Sequence, residues 1–367
     1  MKTAVNISWH RICFIVGTNL IMEEILMKIA IYGCGAMGTV LGAFLNKNGI
    51  EVTLIDSYAD HVKALNEKGA HIVGCADFTV PVSAITPEQM KEKYDIVFLF
   101  TKQTANSTVL PHLKQFLNDD SIVCTLQNGV PEYGIEEYLR GNRTVGGTVL
   151  WGATFISPGV SEVTQDVTSG DILFDIGEID GKITDRIKRV ASVLEYMGSV
   201  NIVKNLMGAR WSKLILNSCM SGLSAVTGSV FGDVLNNPKS CALLSFIASD
   251  IINVCEKANV DLEDVMGMDM RDFGRVDTLE NFVKSQNCFR RFYADKLTAK
   301  ASMLQDLEKG KKTEVDMING FVVKQGKKYG VPTPYNDIAV RVIKGIEDKE
   351  FPLSMDNLKF FELPEFK

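Results

Sequence analysis

No stretch of this 367-residue sequence stays apolar for the roughly 20 residues that a membrane-spanning helix requires. Cysteine is sparse and badly spaced for structural use: eight residues, at 13, 34, 75, 124, 219, 241, 255 and 288, form no C-x-x-C pair. That pattern supplies neither a disulfide framework nor a zinc site, and it reads as small buried thiols in a reducing cytoplasm. Only four histidines occur, His10, His61, His71 and His112, all in the first third of the chain. A mechanism that needs a histidine base from a later domain is thereby disfavoured. Basic blocks are also lacking, since 39 Lys+Arg stand against 45 Asp+Glu for a formal net charge of −6. Such a balance offers nucleic acid no electrostatic footprint. The one dense cluster, Lys309, Lys311 and Lys312, is flanked by Glu308 and Glu314 and reads as a solvated turn.

What remains is ordinary globular material, 46% hydrophobic and 23% charged, long enough for two domains that each bury a core. Residues 1–26 hold a short apolar patch, Ile12 to Gly17, interrupted by Asn19 and followed by Glu23 and Glu24. They read as an extension outside the fold, not as a signal sequence. From residue 27 to about 205 short apolar strands alternate with helical stretches. Residues 28–32, 52–55, 95–100 and 121–126 are strands of the continuous apolar kind found in parallel sheets covered on both faces. Residues 144–150, 159–163 and 171–175 read as a peripheral antiparallel extension. From 206 onward the pattern is helical, with helices predicted over 211–225, 241–258, 313–328 and 337–348. The chain is thus predicted to be α/β, with a Rossmann-type doubly wound sheet over 27–205 and an all-helical domain over 206–367.

Gly33-Cys34-Gly35-Ala36-Met37-Gly38 is a G-x-G-x-x-G turn directly after the first strand and at the start of a helix. The first glycine permits the tight turn, the second admits a pyrophosphate to the backbone, and the third lets helix and strand pack closely. The N-terminus of the helix offers free N–H groups and a positive dipole to the phosphates. Asp56 ends the second strand about 20 residues on, where a carboxylate can bind the ribose hydroxyls of NAD and repel the 2′-phosphate of NADP. Its other reading is a cap for the following helix.

Two further constellations carry chemistry. Lys213, Asn217 and Ser221 are spaced i, i+4, i+8 and form a polar stripe on an otherwise apolar helix. An ammonium there can protonate a carbonyl oxygen that receives hydride, while asparagine orients substrate; equally, the lysine can simply snorkel. Farther on, Gly310 is predicted to end one helix, and Thr313 with Asp316 to form a capping box for the next. In that helix Glu314 shares a face with Ile318, Phe321 and Val322, so its carboxylate points inward. It then needs a partner, an ammonium or a substrate hydroxyl; the alternative is a first-turn acid favoured by the helix dipole.

Together these residues resemble the ketopantoate reductase family (2-dehydropantoate 2-reductases) from about residue 27 to 336. The resemblance rests on Gly33 to Gly38, Thr101-Lys102, Gln127-Asn128-Gly129 and Trp211-Ser212-Lys213 with Asn217. It extends through Ser302-Met303-Leu304-Gln305-Asp306, Thr313-Glu314 and Ile318-Asn319-Gly320. It implies a 2-oxo acid reductase of pantothenate biosynthesis, cytoplasmic and homodimeric through the helical domain, with substrate bound between the domains. By resemblance, Lys213 is the general acid and Glu314 the active-site glutamate. Asn217, Ser221, Ser302 and Asn128 line the substrate, with Ser302 on its carboxylate. Gly33, Gly35, Ala36, Met37, Gly38, Asp56, Lys102 and Asn128 then hold the dinucleotide, NADP by family default. Two positions depart from the family pattern. Ser221 replaces a second asparagine, and Asp56 stands where NADPH-using members carry a basic residue. Both point toward an alternative, an NAD-dependent D-2-hydroxyacid dehydrogenase of the D-mandelate type. A third reading is a non-catalytic NAD-binding regulator, for which the four polar residues Lys213, Asn217, Ser302 and Glu314 would be superfluous.

Overall fold

The structure is a computed structural model that describes residues 27–364; the expected N-terminal extension, with His10 and Cys13, lies outside the described residues. β1 (Ile29–Tyr32) runs through a glycine turn into α1 (Ala36–Lys47), followed by β2 (Val52–Ile55) and α2 (Ala59–Lys68). Three short strands come next, β3 (Ala70–Gly74), β4 (Phe78–Val80) and β5 (Ser83–Ile85). Alternation resumes with β6 (Tyr94–Leu99), α3 (Asn106–Leu113), β7 (Leu117–Thr125), α4 (Glu132–Leu139) and β8 (Thr144–Val149). β9 (Ala153–Ser157), β10 (Val160–Val163), β11 (Ile172–Glu178), α5 (Asp185–Leu194) and β12 (Ser199–Ile202) complete this half.

The main sheet has the order β12-β11-β8-β7-β6-β1-β2-β5. Every pairing from β8 to β5 is parallel, while β11 runs antiparallel to β8 and parallel to β12. Successive residues of the central strands serve opposite layers, as the two-residue period requires. Ile29, Ile31, Ile96 and Phe98 join Val40, Leu41 and Leu45 on one face. Ala30, Tyr32, Val97 and Leu99 join Leu110, Leu113 and Ile135 on the other. Strand order turns back on itself at β1 and β6, and a crevice opens beyond the carboxyl ends of these two strands.

The rest of the chain is helical: α6 (Leu206–Leu216), a π-helical turn (Asn217–Ser221), α7 (Gly222–Thr227), α8 (Phe231–Asn236) and α9 (Pro238–Ala258). α10 (Leu279–Phe292), α11 (Ser302–Glu308), α12 (Asn319–Tyr329) and α13 (Pro334–Glu347) follow. Leu243, Leu244, Ile247 and Ile251 of α9 pack against Leu223, Val226, Val322 and Val342 in a core of their own. α6 lies across β8 and β11 and so joins this half to the sheet.

Several expectations are corrected. The segment 144–150 is no antiparallel outlier, because β8 pairs parallel with β7 inside the main sheet; its glycines hide the apolar signature of a central strand. Residues 159–163 belong to a separate sheet of order β4-β3-β10-β9. The helix predicted over 211–225 is interrupted by the π turn. Cys75 is exposed and Cys288 half-buried, unlike the five buried thiols at 34, 124, 219, 241 and 255. Among the described residues no group of side chains could hold a metal ion, and no helix is long and apolar enough to cross a membrane.

Candidate active site

The crevice between β1 and β6 begins with the glycine turn. Gly33 has φ +96°, and a Cβ there would strike the Thr101 amide and come 2.8 Å from the Phe100 carbonyl carbon. At Gly38 a Cβ would lie 2.5 Å from the Gly33 oxygen, so helix and turn pack without room for a side chain. Gly35 is different, with nothing within 4 Å of its Cβ position. It also stands at the N-cap of α1, where no side chain caps the helix and no acid occupies the first turn. The Gly33 and Cys34 N–H groups are taken by the Ile55 carbonyl, while the first N–H groups of α1 have no partner within the helix. The turn is therefore closed toward protein and open toward solvent, the shape and polarity a pyrophosphate needs.

Neighbouring side chains hold this turn. Thr39 Oγ1 donates to the Cys34 carbonyl at 2.6 Å, and His61 Nε2 donates to the same oxygen at 2.7 Å. His61 Nδ1 accepts the Gly159 N–H at 2.9 Å, which makes the buried ring the neutral Nε2–H tautomer. Burial holds its pKa down, consistent with that form. Sequence reasoning missed this role for His61; the one available signal was a histidine in the first turn of the helix after the second strand. Asp56 ends β2, its N–H bonded to the Ile85 carbonyl and its Oδ1 accepting the Tyr58 N–H at 2.9 Å. Tyr58 is the residue before α2, so the Asp56 carboxylate braces the entry to that helix while remaining half-exposed beside the nucleotide turn.

The second wall comes from α6 and the π turn. Four residues of α-helix drift about 40° around the axis, so in an unbroken helix Ser221 would stand about 80° from Lys213. The wider π turn over Asn217–Ser221 takes up part of that drift and straightens the stripe Lys213, Asn217, Ser221. All three are half-buried in a helix whose other positions are nearly all buried. Burial and the Lys296 ammonium push the Lys213 pKa down to about 8, with Asp175 acting the other way. Asp175 lies on β11, where its Oδ1 accepts Asn201 Nδ2 at 2.8 Å. Burial raises its pKa, against that bond and the pull of Lys213. Asp175 was not anticipated, since the order of strands that brings it under α6 is invisible in sequence.

Glu314 sits in a different arrangement from the one expected. No capping box forms: Thr313 Oγ1 donates to Glu347 Oε1 at 2.6 Å, and Asp316 pairs with Lys344 at 2.6 Å. Residues 315–317 make a single 3₁₀ turn, and α12 starts only at Asn319. Glu314 is buried all the same, and it does not hold Lys213. Its Oε1 accepts the Gln103 N–H at 2.9 Å. Burial raises its pKa, offset by the Gln103 bond, then the Lys102 ammonium and the Asn128 side chain. Asn128 Oδ1 in turn accepts Asn217 Nδ2 at 3.4 Å. The Gln103 side chain donates to the Asn128 carbonyl, making Gln103 a second residue that sequence reasoning overlooked. Lys102 reaches across the mouth of the cleft to Asp306 on α11, 2.5 Å away. Ser302 is the exposed first residue of that helix, which packs against the π turn. The structure thus brings Asn128, Asn217 and Glu314 together, ties Lys102 to the helix of Ser302, and sets Lys213 one turn before Asn217.

Both halves of the chain are similar to known proteins of one family. Residues 29–176 match the family profile described as ketopantoate reductase PanE/ApbA, and residues 205–347 match that of its C-terminal part. The 2-dehydropantoate 2-reductase of Lactococcus lactis subsp. lactis (strain IL1403) is 30% identical over 332 residues, spanning 88% of this chain and 98% of its own length. That of Pyrococcus abyssi (strain GE5 / Orsay) is 31% identical over 328 residues, spanning 88% and 99%. Among solved structures, the ternary structure of D-mandelate dehydrogenase with NADH and anilino(oxo)acetate is 25% identical, with a TM-score of 0.76 over 88% of this chain and 99% of that one. The PanE/ApbA family ketopantoate reductase from Ralstonia eutropha JMP134 is 26% identical, with a TM-score of 0.74 over the same shares.

Proposed function

The chain belongs to the ketopantoate reductase family of oxidoreductases, and from that premise we propose that it reduces a 2-oxo acid, 2-dehydropantoate in the first instance, within the cleft between the sheet and the helices. One observation carries the reading: Asn128 meets both Glu314 and Asn217, so a residue at the carboxyl end of the sheet and two from the helical half share one small polar centre beside Lys213. The residues present fit a nicotinamide dinucleotide, since the open face of Gly35 and the uncapped start of α1 accept its pyrophosphate. When bound, the reduced nicotinamide supplies hydride to C2 of the substrate. Gly33, Gly35, Ala36, Met37 and Gly38 hold the phosphates, and Asp56 faces the ribose.

Lys213 protonates the carbonyl oxygen as it becomes the hydroxyl of the product, and then regains a proton from solvent. Its pKa of about 8 leaves the ammonium populated at neutral pH yet ready to give the proton up. Asn217 and Asn128 orient the oxygen-bearing groups of the substrate through paired donors and acceptors. Ser302 binds the carboxylate, and Glu314, held by Gln103, accepts from a substrate hydroxyl. Lys102, paired with Asp306, keeps the acid of the cleft mouth neutralised. The working unit is a homodimer joined through the helical half, in the cytoplasm.

A second reading is favoured by two particular residues. Ser221 leaves more room than an asparagine, and Asp56 disfavours a 2′-phosphate, so an NAD-dependent D-2-hydroxyacid dehydrogenase acting on bulkier branched or aromatic 2-oxo acids is the alternative. A spectrophotometric screen of 2-dehydropantoate, benzoylformate and branched aliphatic 2-oxo acids, each with NADH and NADPH, separates the readings. Oxidation with 2-dehydropantoate as preferred substrate supports the first, and preference for benzoylformate or another 2-oxo acid supports the second. Absence of turnover with every pair overturns both and leaves a non-catalytic dinucleotide-binding protein.

A further inference from the structure

Arg210 lies one turn before Lys213 on α6 and is 2% exposed. Its guanidinium reaches three places along a single loop of the other half. Nη2 donates to the Thr125 carbonyl at 3.0 Å, Nη1 to the Gln127 carbonyl at 2.7 Å, and Nε to Glu132 Oε1 at 2.5 Å. Those acceptors stand before, within and just after the Gln127-Asn128-Gly129 turn, so the turn is wrapped around one planar fork. Glu132 opens α4 with no exposed surface, and its carboxylate fills the space left by the missing side chain of Gly146. Gln127 passes the attachment on. Its Nε2 donates to the Thr101 carbonyl at 2.7 Å and to Asn106 Oδ1 at 2.8 Å, which keeps the turn with the nucleotide half.

We propose that Arg210 is a positioning residue for the reaction: it fixes the register between the helix that carries Lys213 and the turn that carries Asn128. The inference rests on the reductase reading above. Arg210 touches neither substrate nor cofactor, and acts by holding the peptide that precedes Asn128 at a set distance from α6. A guanidinium suits this task because three donors in one plane define a position, which a lysine's single ammonium does not. A buried pair that served stability alone would be replaceable by apolar residues of similar volume, since such replacement is often neutral. The carbonyl bonds to Thr125 and Gln127 have no apolar substitute.

The test uses the full chain and two variants, Arg210→Lys and the pair Arg210→Met with Glu132→Leu. Melting temperature, the rise in melting temperature with NADH, kcat and both KM values are measured for each. The expected result is a kcat reduced about 10- to 100-fold in both variants, as small displacements of reacting groups produce. The double variant is expected to melt below the wild type, because the Thr125 and Gln127 carbonyls lose their donors. The NADH-induced rise is expected to persist in both, because the glycine turn is untouched. A double variant that folds and keeps kcat within about threefold of the wild type overturns the proposal, since misplacement costs more than that. If the double variant fails to fold, Arg210→Lys decides by the same criterion. Loss of the NADH effect with unchanged kcat also overturns it. Wild-type turnover is the control: its absence on every 2-oxo acid brings down the reductase reading and this one together, whereas an active wild type with unimpaired variants brings down this one alone.

Discussion

The two walls of the cleft are made of different material. The nucleotide wall is backbone: a turn whose glycines exclude side chains at Gly33 and Gly38 and leave Gly35 bare, followed by the free N–H groups of α1. The opposite wall is side chains, Asn128, Lys213, Asn217, Ser302 and Glu314, gathered from positions spread over more than half of the chain. A backbone site depends on local conformation and binds whatever carries phosphate. A side-chain site depends on tertiary register, and a single change such as Ser221 can alter what it accepts. The same fold can therefore retain its cofactor chemistry while its substrate changes.

This contrast makes distinct predictions for the two walls. The largest effect belongs to the side-chain wall. Lys213→Ala should lower kcat about 10³-fold, roughly 4 kcal/mol of transition-state stabilisation, while the NADH-induced rise in melting temperature survives. Near-normal turnover in that variant would remove lysine from the mechanism. In the wild type, kcat/KM for reduction should be level below pH 8 and fall about tenfold per unit above it on the proposed mechanism, in which the acid is the Lys213 ammonium with its pKa pushed down to about 8. The reverse oxidation should rise over the same range. A flat profile would mean that the proton comes from elsewhere.

The backbone wall should respond in a different currency. Gly33→Ala places a side chain at φ +96° against the Thr101 amide, which costs about 2–3 kcal/mol and should lower the melting temperature as well as cofactor binding. Gly35→Ala meets open space and should leave the melting temperature alone while raising the KM for the dinucleotide. Equal losses of stability in the two variants would contradict the assignment of the open face to the pyrophosphate. The smallest effect is at Asp56. Asp56→Ala should reduce the preference for NADH over NADPH about tenfold, or 1.4 kcal/mol, read as the ratio of kcat/KM values. A wild type that already favours NADPH would refute this reading of Asp56.

The same contrast explains what could be read from the chain alone. The nucleotide wall was legible because a tight turn between strand and helix writes its demands into six consecutive residues. Lys213 and Asn217 were legible as a stripe, but the π turn that aligns Ser221 with them leaves no mark in the spacing. Glu314 was legible as a buried acid for an incorrect reason. Its burial follows not from a helix face but from a 3₁₀ turn that delivers it to Gln103. Gln103, Asp175 and Arg210 were illegible. Each acts through a partner more than 20 residues away in sequence, and only the strand order and the seating of α6 on β8 and β11 bring those partners near. Residues 144–150 were misassigned because glycine weakens the apolar pattern on which a central strand is recognised.

The Lys102–Asp306 bridge joins the carboxyl edge of the sheet to α11. It is one of several ties between the two halves, beside Gln103 with Glu314, Asn128 with Asn217, and the Arg210 fork. Lys102 is partly exposed and Asp306 mostly covered, so the pair is weak enough for thermal opening and sensitive to dissolved ions. Raising the ionic strength therefore weakens this tie between the sheet and α11.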